Sequence, residues 1–325
     1  MREQKVTVQA LRQMQALPTS IKVTMAKQRI KDYYDHFQGN VYISFSGGKD
    51  STALLHLARS MYPDIKAVYV DTGLEYPEVK AFIKTVENVE IIRPKMYFKD
   101  VINKYGYPVP SKELAHKIYY ARKGSEWALK FLNGENLDHN GKKSAYNISE
   151  KWKKLYCAPF NVSDRCCYIM KKQPFREYDK RTGMHGIVAS MACESVLRQQ
   201  QWNYTGCNSF DGKIISKPFS FWLENDVLTY IVENNIKMPI VYGDIVEVGL
   251  GYDTVFKQFY KRYTTTGVKR TGCIYCMFGV HLEKSPNRFE RLRITHPALY
   301  DWCLKSQDEG GLGLQEVLDY CEIKY

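Results

Sequence analysis

The sequence predicts an α/β fold built on a parallel sheet. Short apolar runs at residues 40–45, 65–70 and 88–93 are typical of buried strands. Amphipathic runs at residues 50–61 and 76–87 lie between them and predict helices. A glycine-rich segment joins the first of these strands to the first of these helices. Because such alternation requires crossover connections, we expect the strands to run parallel with helices on both faces of the sheet.

Residues 1–38 come before this sheet and are predicted to form two helices. Apolar and polar residues alternate at a roughly helical period from residue 3 to residue 38, with a break at Pro18. Thr19 or Ser20 follows the break directly, and either side chain has the oxygen needed to cap the second helix.

The segment SFSGGKDS at residues 44–51 is predicted to bind a polyphosphate. Gly47 and Gly48 let the backbone curl around an anion, and the following helix directs its free N–H groups towards that anion. Ser46, Lys49 and Ser51 add further donors. The segment is neither a Walker A loop nor a GxGxxG dinucleotide loop, because the spacing of its glycines and lysine differs from both. The alternative is an ordinary glycine turn between a strand and a helix.

Four cysteines form a pattern typical of a metal site. The adjacent pair Cys166 and Cys167 lies far upstream of a CxxC motif formed by Cys273 and Cys276. Four thiolates suit either tetrahedral zinc or one iron–sulfur cluster. The remaining cysteines have no such spacing, and we expect them to be small buried hydrophobic residues: Cys157, Cys193, Cys207, Cys303 and Cys321.

The chain carries 47 Lys and Arg against 35 Asp and Glu, a net charge of +12, which indicates an anionic partner. Residues 112–181 hold 16 basic and 8 acidic side chains, and residues 254–293 hold 9 and 2. Aromatic residues are interspersed with these lysines and arginines, as is typical of proteins that bind single-stranded nucleic acid. A pocket charged for a small polyanion is the alternative.

The compartment predicted from the sequence is the cytoplasm. The first residues are charged and are followed by no apolar signal region, and no stretch is long enough for a membrane span. Nine cysteines without an export signal favour a reducing compartment, in which thiols stay available for a metal.

Several of these motifs resemble one known family. The loop at residues 44–51 resembles the SGGxDS pyrophosphate loop of the ATP pyrophosphatases, the PP-loop superfamily with its adenine nucleotide alpha-hydrolase-like fold. The segment DTGLEYPE at residues 71–78 is similar to a turn of the PAPS reductase family. The CC and CxxC pattern resembles the [4Fe-4S] ligation of assimilatory APS reductases and of the sulfur-inserting subunit of DNA phosphorothioation systems. The resemblance extends from about Val41 to Cys276, except for residues 105–160.

The resemblance implies a domain organisation in three parts. We expect N-terminal helices at residues 1–38 and a PP-loop nucleotide-binding domain at residues 39–240, with a basic helical insertion at about 105–160. A C-terminal region at residues 241–325 then carries the CxxC ligands.

The resemblance also implies the site residues. Arg198 lies in the segment ESVLR, which is similar to a family motif whose leading arginine is missing here. Lys217 is the first residue of a second similar segment, KPFSFWLENDV, and Trp222 within it is expected in the core. Asp71 either faces the nucleotide or caps the following turn. Lys49, Asp50 and Arg198 are the implied catalytic residues. The implied nucleotide-binding residues are Ser44, Ser46, Gly47, Gly48, Lys49, Asp50, Ser51, Asp71 and Lys217. The implied ligands of a [4Fe-4S] cluster, with zinc as the second choice, are Cys166, Cys167, Cys273 and Cys276.

The reaction that the resemblance favours is ATP-dependent sulfur transfer. An acceptor, for which a nucleic acid is one candidate, would be adenylated by ATP with Mg²⁺, and pyrophosphate would leave. A cysteine desulfurase is the kind of sulfur donor expected. The first alternative is PAPS or APS reduction, which in the family uses a C-terminal ECGxH nucleophile. Cys321 lies near the end of this chain without that glycine and histidine. A non-catalytic module that senses a nucleotide and a cluster is the second alternative.

Overall fold

The computed structural model describes residues 6–253 and 256–325, and these form two compact units. The first unit comprises the described residues within 1–71, 75–92 and 175–271, and the second comprises residues 72–74, 93–174 and 272–325. The helices are α1 (Val8–Gln15), α2 (Thr19–His36), α3 (Lys49–Arg59), α4 (Pro77–Ile83), α5 (Phe98–Tyr105), α6 (Lys112–Arg122), α7 (Glu126–Asn133), α8 (Glu150–Lys153), α9 (Arg165–Cys167), α10 (Gln173–Thr182), α11 (Val196–Thr205), α12 (Glu224–Glu233), α13 (Arg288–Thr295), α14 (Pro297–Leu304) and α15 (Leu314–Tyr320). The strands are β1 (Val41–Ser44), β2 (Lys66–Val70), β3 (Val89–Ile92), β4 (His185–Val188), β5 (Asn208–Ser209), β6 (Ile215–Ser216), β7 (Ile245–Asp253) and β8 (Gln258–Thr265).

A six-stranded sheet in the order β3-β2-β1-β4-β6-β5 organises the first unit. Its strands pair in parallel except for β5, which is antiparallel to β6. The three strands and two helices predicted between residues 40 and 93 appear as β1, α3, β2, α4 and β3. The predicted parallel α/β fold is therefore confirmed, and the glycine-rich segment lies at the carboxyl end of β1, where such sheets place their ligands.

The core of the first unit lies between this sheet and the helices that cover it. Ile43 of β1, Ala67 of β2 and Ile187 of β4 are all fully buried. Trp222 is also fully buried and stacks on Phe219, with ring centroids 3.9 Å apart. The prediction that Trp222 belongs to the core is confirmed.

The N-terminal helices α1 and α2 form as predicted, but the predicted cap of α2 is wrong. Pro18 is the N-cap residue, and no side chain caps the helix. Thr19 is already helical, and its hydroxyl donates 2.8 Å to Asp226 of α12. Lys22 of α2 forms a buried ion pair with the same carboxylate at 2.7 Å. Asp226 thus binds both Thr19 and Lys22, and these two contacts connect α2 to α12.

The second unit is mainly helical. Helices α6, α7 and α8 lie within residues 105–160, the segment for which a helical insertion is predicted. Within this unit Tyr107 donates to the Leu312 carbonyl at 2.9 Å, and the Gly279 N–H donates to the Pro110 carbonyl at 2.8 Å. These bonds join residues 93–174 to residues 272–325, which are distant in sequence.

Among the described residues, none of the helices combines the length and the apolar character needed to cross a membrane.

We predict that Asp226→Ala destabilises the first unit by about 3–5 kcal/mol, because the change leaves the Lys22 ammonium buried without its partner. Chemical denaturation measures the loss. Asp35→Ala is the matched control, since Asp35 pairs with Lys31 at an exposed site where solvent screens the interaction. Equal stability of the two variants would contradict the structural role given to Asp226.

Candidate functional site

The loop between β1 and α3 takes a shape that only glycine allows at its centre. Gly47 has φ +69°, and a Cβ there would lie 2.8 Å from side-chain atoms of Val79 and Ile83 on α4. Gly48 is the N-cap of α3, and a Cβ on it would lie 2.9 Å from Thr271 Oγ1. The backbone therefore approaches neighbouring elements on two sides, which explains the pair of glycines.

Two serine hydroxyls are fixed at the start of α3. The Ser46 N–H donates to Ser51 Oγ at 3.1 Å, and the two hydroxyl oxygens are 3.0 Å apart. Ser51 Oγ also donates to the Gly48 carbonyl at 3.0 Å. Ser44 is the last residue of β1 and leads directly into this turn. Hydroxyls and a helix N-terminus at one place form a suitable environment for a phosphate oxygen.

Lys49 does not point into solvent, because its ammonium group is engaged within the first unit. Its side chain is 2 % exposed, and Nζ lies 3.3 Å from Glu224 and 3.5 Å from Asp50. Nζ also donates to the Lys269 carbonyl at 3.1 Å. Burial raises the pKa of Asp50, while the adjacent ammonium of Lys49 opposes that increase. Lys49 therefore holds two carboxylates beside the loop.

Tyr242 and Thr271 support the loop and were not identified from the sequence. The Lys49 N–H donates to Tyr242 Oη at 3.0 Å, and Tyr242 Oη lies 2.9 Å from Thr271 Oγ1. Burial raises the pKa of Tyr242, so its hydroxyl stays protonated. Neither residue belongs to a motif, and only the folded chain brings them to residues 47–49.

Arg198 and Lys217 belong to the charged surroundings of the loop. Arg198 forms an ion pair with Glu194, and burial together with Arg270 lowers the pKa of Arg198 although Asp50 opposes this shift. Burial also lowers the pKa of Lys217, and Arg198 contributes to that shift. The structure thus brings Arg198 into the electrostatic range of Asp50 and Lys217 into that of Arg198.

Asp71, at the carboxyl end of β2, forms an ion pair with Lys80 of α4 at 2.7 Å. Pro77 is the first residue of α4, as its position in the sequence predicts. The pairing fixes the carboxylate of Asp71 against the start of α4.

The four predicted ligand cysteines line one cavity of the second unit. Cys166 and Cys167 lie on α9, whereas Cys273 and Cys276 flank a turn in which the Cys276 N–H donates to the Cys273 carbonyl at 3.2 Å. The other residues around this cavity are mostly apolar: Leu74, Phe98, Pro108, Met170, Lys171 and Tyr275.

Metal ligation needs thiolates, and the cysteines of this cavity differ in how readily they ionise. The hydrogen bond from Cys166 lowers the pKa of Cys167 to about 6, and Lys112 and Lys171 add to that effect. The same hydrogen bond, together with burial, raises the pKa of Cys166, and burial raises that of Cys276. The donor set fits a thiolate-bound group, although residues 6–253 and 256–325 contain no set of three or more His, Cys, Asp or Glu side chains arranged to hold a metal ion.

The expectation for the other five cysteines is wrong for two of them. Cys207, Cys303 and Cys321 are buried as expected, but Cys157 and Cys193 are exposed. Cys157 ends a short 3-10 turn, and Cys193 lies in another. Small side chains in turns stay accessible to solvent, and the residue type alone does not predict that exposure.

Comparison with known protein families gives a match that includes the loop at residues 44–51. Residues 40–123 match the family model of the phosphoadenosine phosphosulfate reductase domain. A PAPS reductase of Xanthomonas axonopodis pv. citri is 30% identical over 94 residues, which cover 27% of this chain and 39% of that protein. An uncharacterized protein of Methanocaldococcus jannaschii is 22% identical over 298 residues, which cover 89% of this chain and 53% of the relative. The chain thus spans about half the length of that relative.

Among solved structures, the chain is similar to a U34-tRNA thiolase, NcsA, from Methanococcus maripaludis with its [4Fe-4S] cluster. The identity is 15%, the TM-score is 0.35, and the match covers 67% of this chain and 66% of that structure.

The mostly parallel sheet, with a glycine-rich loop between β1 and α3, defines the class of the first unit as an α/β fold. Within this class, residues 40–123 are similar to the phosphoadenosine phosphosulfate reductase domain.

We predict that Gly47→Ala abolishes ATP binding, because the new Cβ clashes with α4 and displaces the loop. Gly124→Ala is the matched control, since Gly124 has φ +77° but open space around its Cβ position. Calorimetric titration with ATP measures the affinity of each variant. Unchanged affinity of Gly47→Ala would place the nucleotide elsewhere.

Proposed function

We propose that the protein is an ATP-dependent sulfurtransferase that adenylates its acceptor and releases pyrophosphate. The observation that carries this proposal is the loop at residues 44–51, which combines the N-terminus of α3, two paired serine hydroxyls and a buried lysine. This is the environment that a nucleotide triphosphate needs when pyrophosphate is its leaving group.

The proposed adenylation step places negative charge on the departing pyrophosphate. An acceptor oxygen attacks the α-phosphorus of ATP, the bond from that phosphorus to the bridging oxygen breaks, and pyrophosphate leaves with the bonding pair. The N–H groups at the start of α3 and the hydroxyls of Ser46 and Ser51 stabilise the negative charge that grows on the pyrophosphate. A sulfur nucleophile then displaces AMP from the adenylated acceptor.

Lys49, Asp50 and Glu224 have an electrostatic role in this proposal. The carboxylates of Asp50 and Glu224 are held beside the loop by the Lys49 ammonium. They are the groups suited to receive the Mg²⁺ that accompanies ATP, directly or through water. Arg198 and Lys217 add positive charge for the phosphates or for the acceptor.

Cys166, Cys167, Cys273 and Cys276 are the proposed ligands of a [4Fe-4S] cluster, with zinc as the second choice. Such a cluster, when bound, supplies a place to hold sulfur before its transfer. The ammonium groups of Lys112 and Lys171 offset the negative charge of the thiolates. A cysteine desulfurase is the proposed kind of sulfur donor, and the cytoplasm is the proposed compartment.

PAPS or APS reduction is the second candidate, because the family model is that of a reductase domain. The reductase nucleophile is a thiolate near the C-terminus, for which Cys321 is the candidate by position. Cys321 is fully buried, and burial raises its pKa to about 11. A thiol in that setting is a poor nucleophile, so we rank reduction below transfer. A non-catalytic nucleotide- and cluster-sensing module remains the third candidate.

We predict that anaerobically purified protein contains iron and sulfide in [4Fe-4S] proportion, and that Cys273→Ser loses most of both. Metal analysis and visible absorption measure the content. Cys157→Ser is the control, since Cys157 is exposed and lies outside the cavity. Zinc at full occupancy in the anaerobic protein would favour the second choice instead.

We predict that the protein releases pyrophosphate from ATP when sulfide and an acceptor are present. We expect Lys49→Ala to lower the rate by about 100-fold or more, because Asp50 and Glu224 lose the ammonium that holds them beside the loop. A coupled pyrophosphate assay measures the rate. Lys31→Ala, at an exposed lysine of α2, and Cys321→Ser are controls that should keep full activity. Sulfite formation from PAPS that Cys321→Ser abolishes would show a reductase.

A further inference from the structure

A second binding site is visible in the helical insertion of the second unit. Helices α6 and α7 and the loop at residues 134–149 enclose an open cavity of about 370 Å³. This volume lies within the range of small-molecule pockets in proteins, about 300–1,000 Å³. The residues that matter for its chemistry are His116, Trp127, Phe131, Asn136, Leu137 and Tyr146.

Lys117 fixes the loop against the two helices, so the cavity is formed before any ligand arrives. Its side chain is only 6 % exposed, and Nζ donates 2.5 Å to Glu113 and 2.5 Å to the Tyr146 carbonyl. The same ammonium lies 4.2 Å from the centroid of the Phe131 ring. Lys117 is thus a structural residue whose charge is already satisfied.

Aromatic rings form the walls of the cavity and stay accessible. Trp127 and Phe131 are four residues apart on α7 and lie on one face, with ring centroids 5.1 Å apart. The His116 ring lies edge to face with Trp127 at 6.0 Å. Trp127 is 48 % exposed and Tyr146 is 63 % exposed. Rings that serve only the core would be covered, so this surface suits a planar ligand that stacks.

One polar group at the cavity has no partner. The side-chain nitrogen of Asn136 is buried and has no hydrogen-bond acceptor among the described residues. A buried donor of this kind costs free energy unless an acceptor reaches it. The carbonyl oxygens and ring nitrogens along the edge of a nucleobase are acceptors of the right type.

The charge around the cavity favours a phosphate backbone. Residues 112–154 carry ten basic and five acidic side chains. Lys142 and Lys143 are exposed, and Lys143 pairs with Leu137 of the cavity wall across a short β-bridge. A larger cavity of the same unit, about 1230 Å³, has the opposite character, because carboxylates dominate its wall: Asp301, Asp308, Glu309, Glu316 and Asp319.

We propose that the cavity of α6 and α7 binds one unpaired base of a single-stranded nucleic acid, with the base stacked on Trp127 and its edge facing Asn136. Lys142 and Lys143 contact the adjoining phosphates. The proposal deepens the proposed function, since it names the class of acceptor, but the binding it describes needs neither ATP nor a cluster.

The test is binding of a fluorescein-labelled single-stranded RNA 12-mer to the full chain, measured by anisotropy. Loss of one stacking partner weakens binding of single strands by about 5- to 100-fold, so we expect that range for Trp127→Ala and for Tyr146→Leu. Trp127→Phe keeps a ring and should bind nearly as well as the parent protein. Trp302→Leu is the control, since Trp302 is a similarly exposed tryptophan, 40 % exposed, outside the cavity. Tyr146 is exposed on a loop, so its substitution keeps the test valid if Trp127→Ala does not fold.

A spectroscopic arm separates stacking from a general effect on structure. Unlabelled RNA should quench tryptophan fluorescence of the parent protein, and Trp127→Phe should lose that quenching while it keeps the affinity. Equal affinity of the parent, Trp127→Ala and Tyr146→Leu would overturn the proposal. Displacement of the RNA by millimolar AMP would also overturn it, because the site would then take a free nucleotide. Binding through Trp127 without pyrophosphate release would leave the base site in place and contradict only the proposed transferase activity.

Discussion

The close approach of the backbone at Gly47 and Gly48 is the constraint on which the nucleotide loop depends. A Cβ on Gly47 would overlap Val79 and Ile83, and a Cβ on Gly48 would come too close to Thr271. The loop is therefore held between α4 on one side and the residues near Thr271 on the other. Because its shape is fixed by packing, the N–H groups at the start of α3 are oriented before a ligand binds, and little conformational entropy is lost in ordering them.

Charge compensation is the second property of this site. Two cations near the loop are already paired, Lys49 with Glu224 and Asp50, and Arg198 with Glu194. A polyphosphate that binds here competes with these carboxylates for the same cations. A divalent cation that arrives with the nucleotide reduces that competition, because it neutralises the carboxylates while it binds the phosphates. In the proposed function, this arrangement favours a metal-bound nucleotide over a free anion.

The sequence was sufficient for features that depend on local patterns. The alternation between residues 40 and 93 predicts β1, α3, β2, α4 and β3, because periodicity and turn residues are local properties. The pair Gly47 and Gly48 indicates the loop, because few other residue types fit the backbone conformation and the close contacts at these positions. Tyr242 and Thr271 could not be predicted in this way, since their contacts with residues 47–49 depend on a chain separation of about 200 residues. The predicted cap of α2 was wrong because the helix begins at Thr19 itself, with Pro18 as its N-cap residue. The Thr19 hydroxyl instead donates to Asp226, a residue that is distant in sequence and could not be predicted as its partner.

The cysteines show how the environment of a side chain decides its chemistry. Cys321 and Cys167 are the same residue type, yet burial raises the pKa of Cys321 to about 11 and the hydrogen bond from Cys166 lowers that of Cys167 to about 6. Burial thus disfavours the thiolate of Cys321, whereas the hydrogen bond from Cys166 favours that of Cys167. Attack on a sulfate sulfur requires a thiolate that can reach its substrate, and Cys321 satisfies neither condition. The thiol with the lowered pKa, that of Cys167, thus lies in the four-cysteine cavity, whereas Cys321 is buried elsewhere with a raised pKa. In the proposed function, this contrast favours thiolate ligation in that cavity over nucleophilic attack by Cys321.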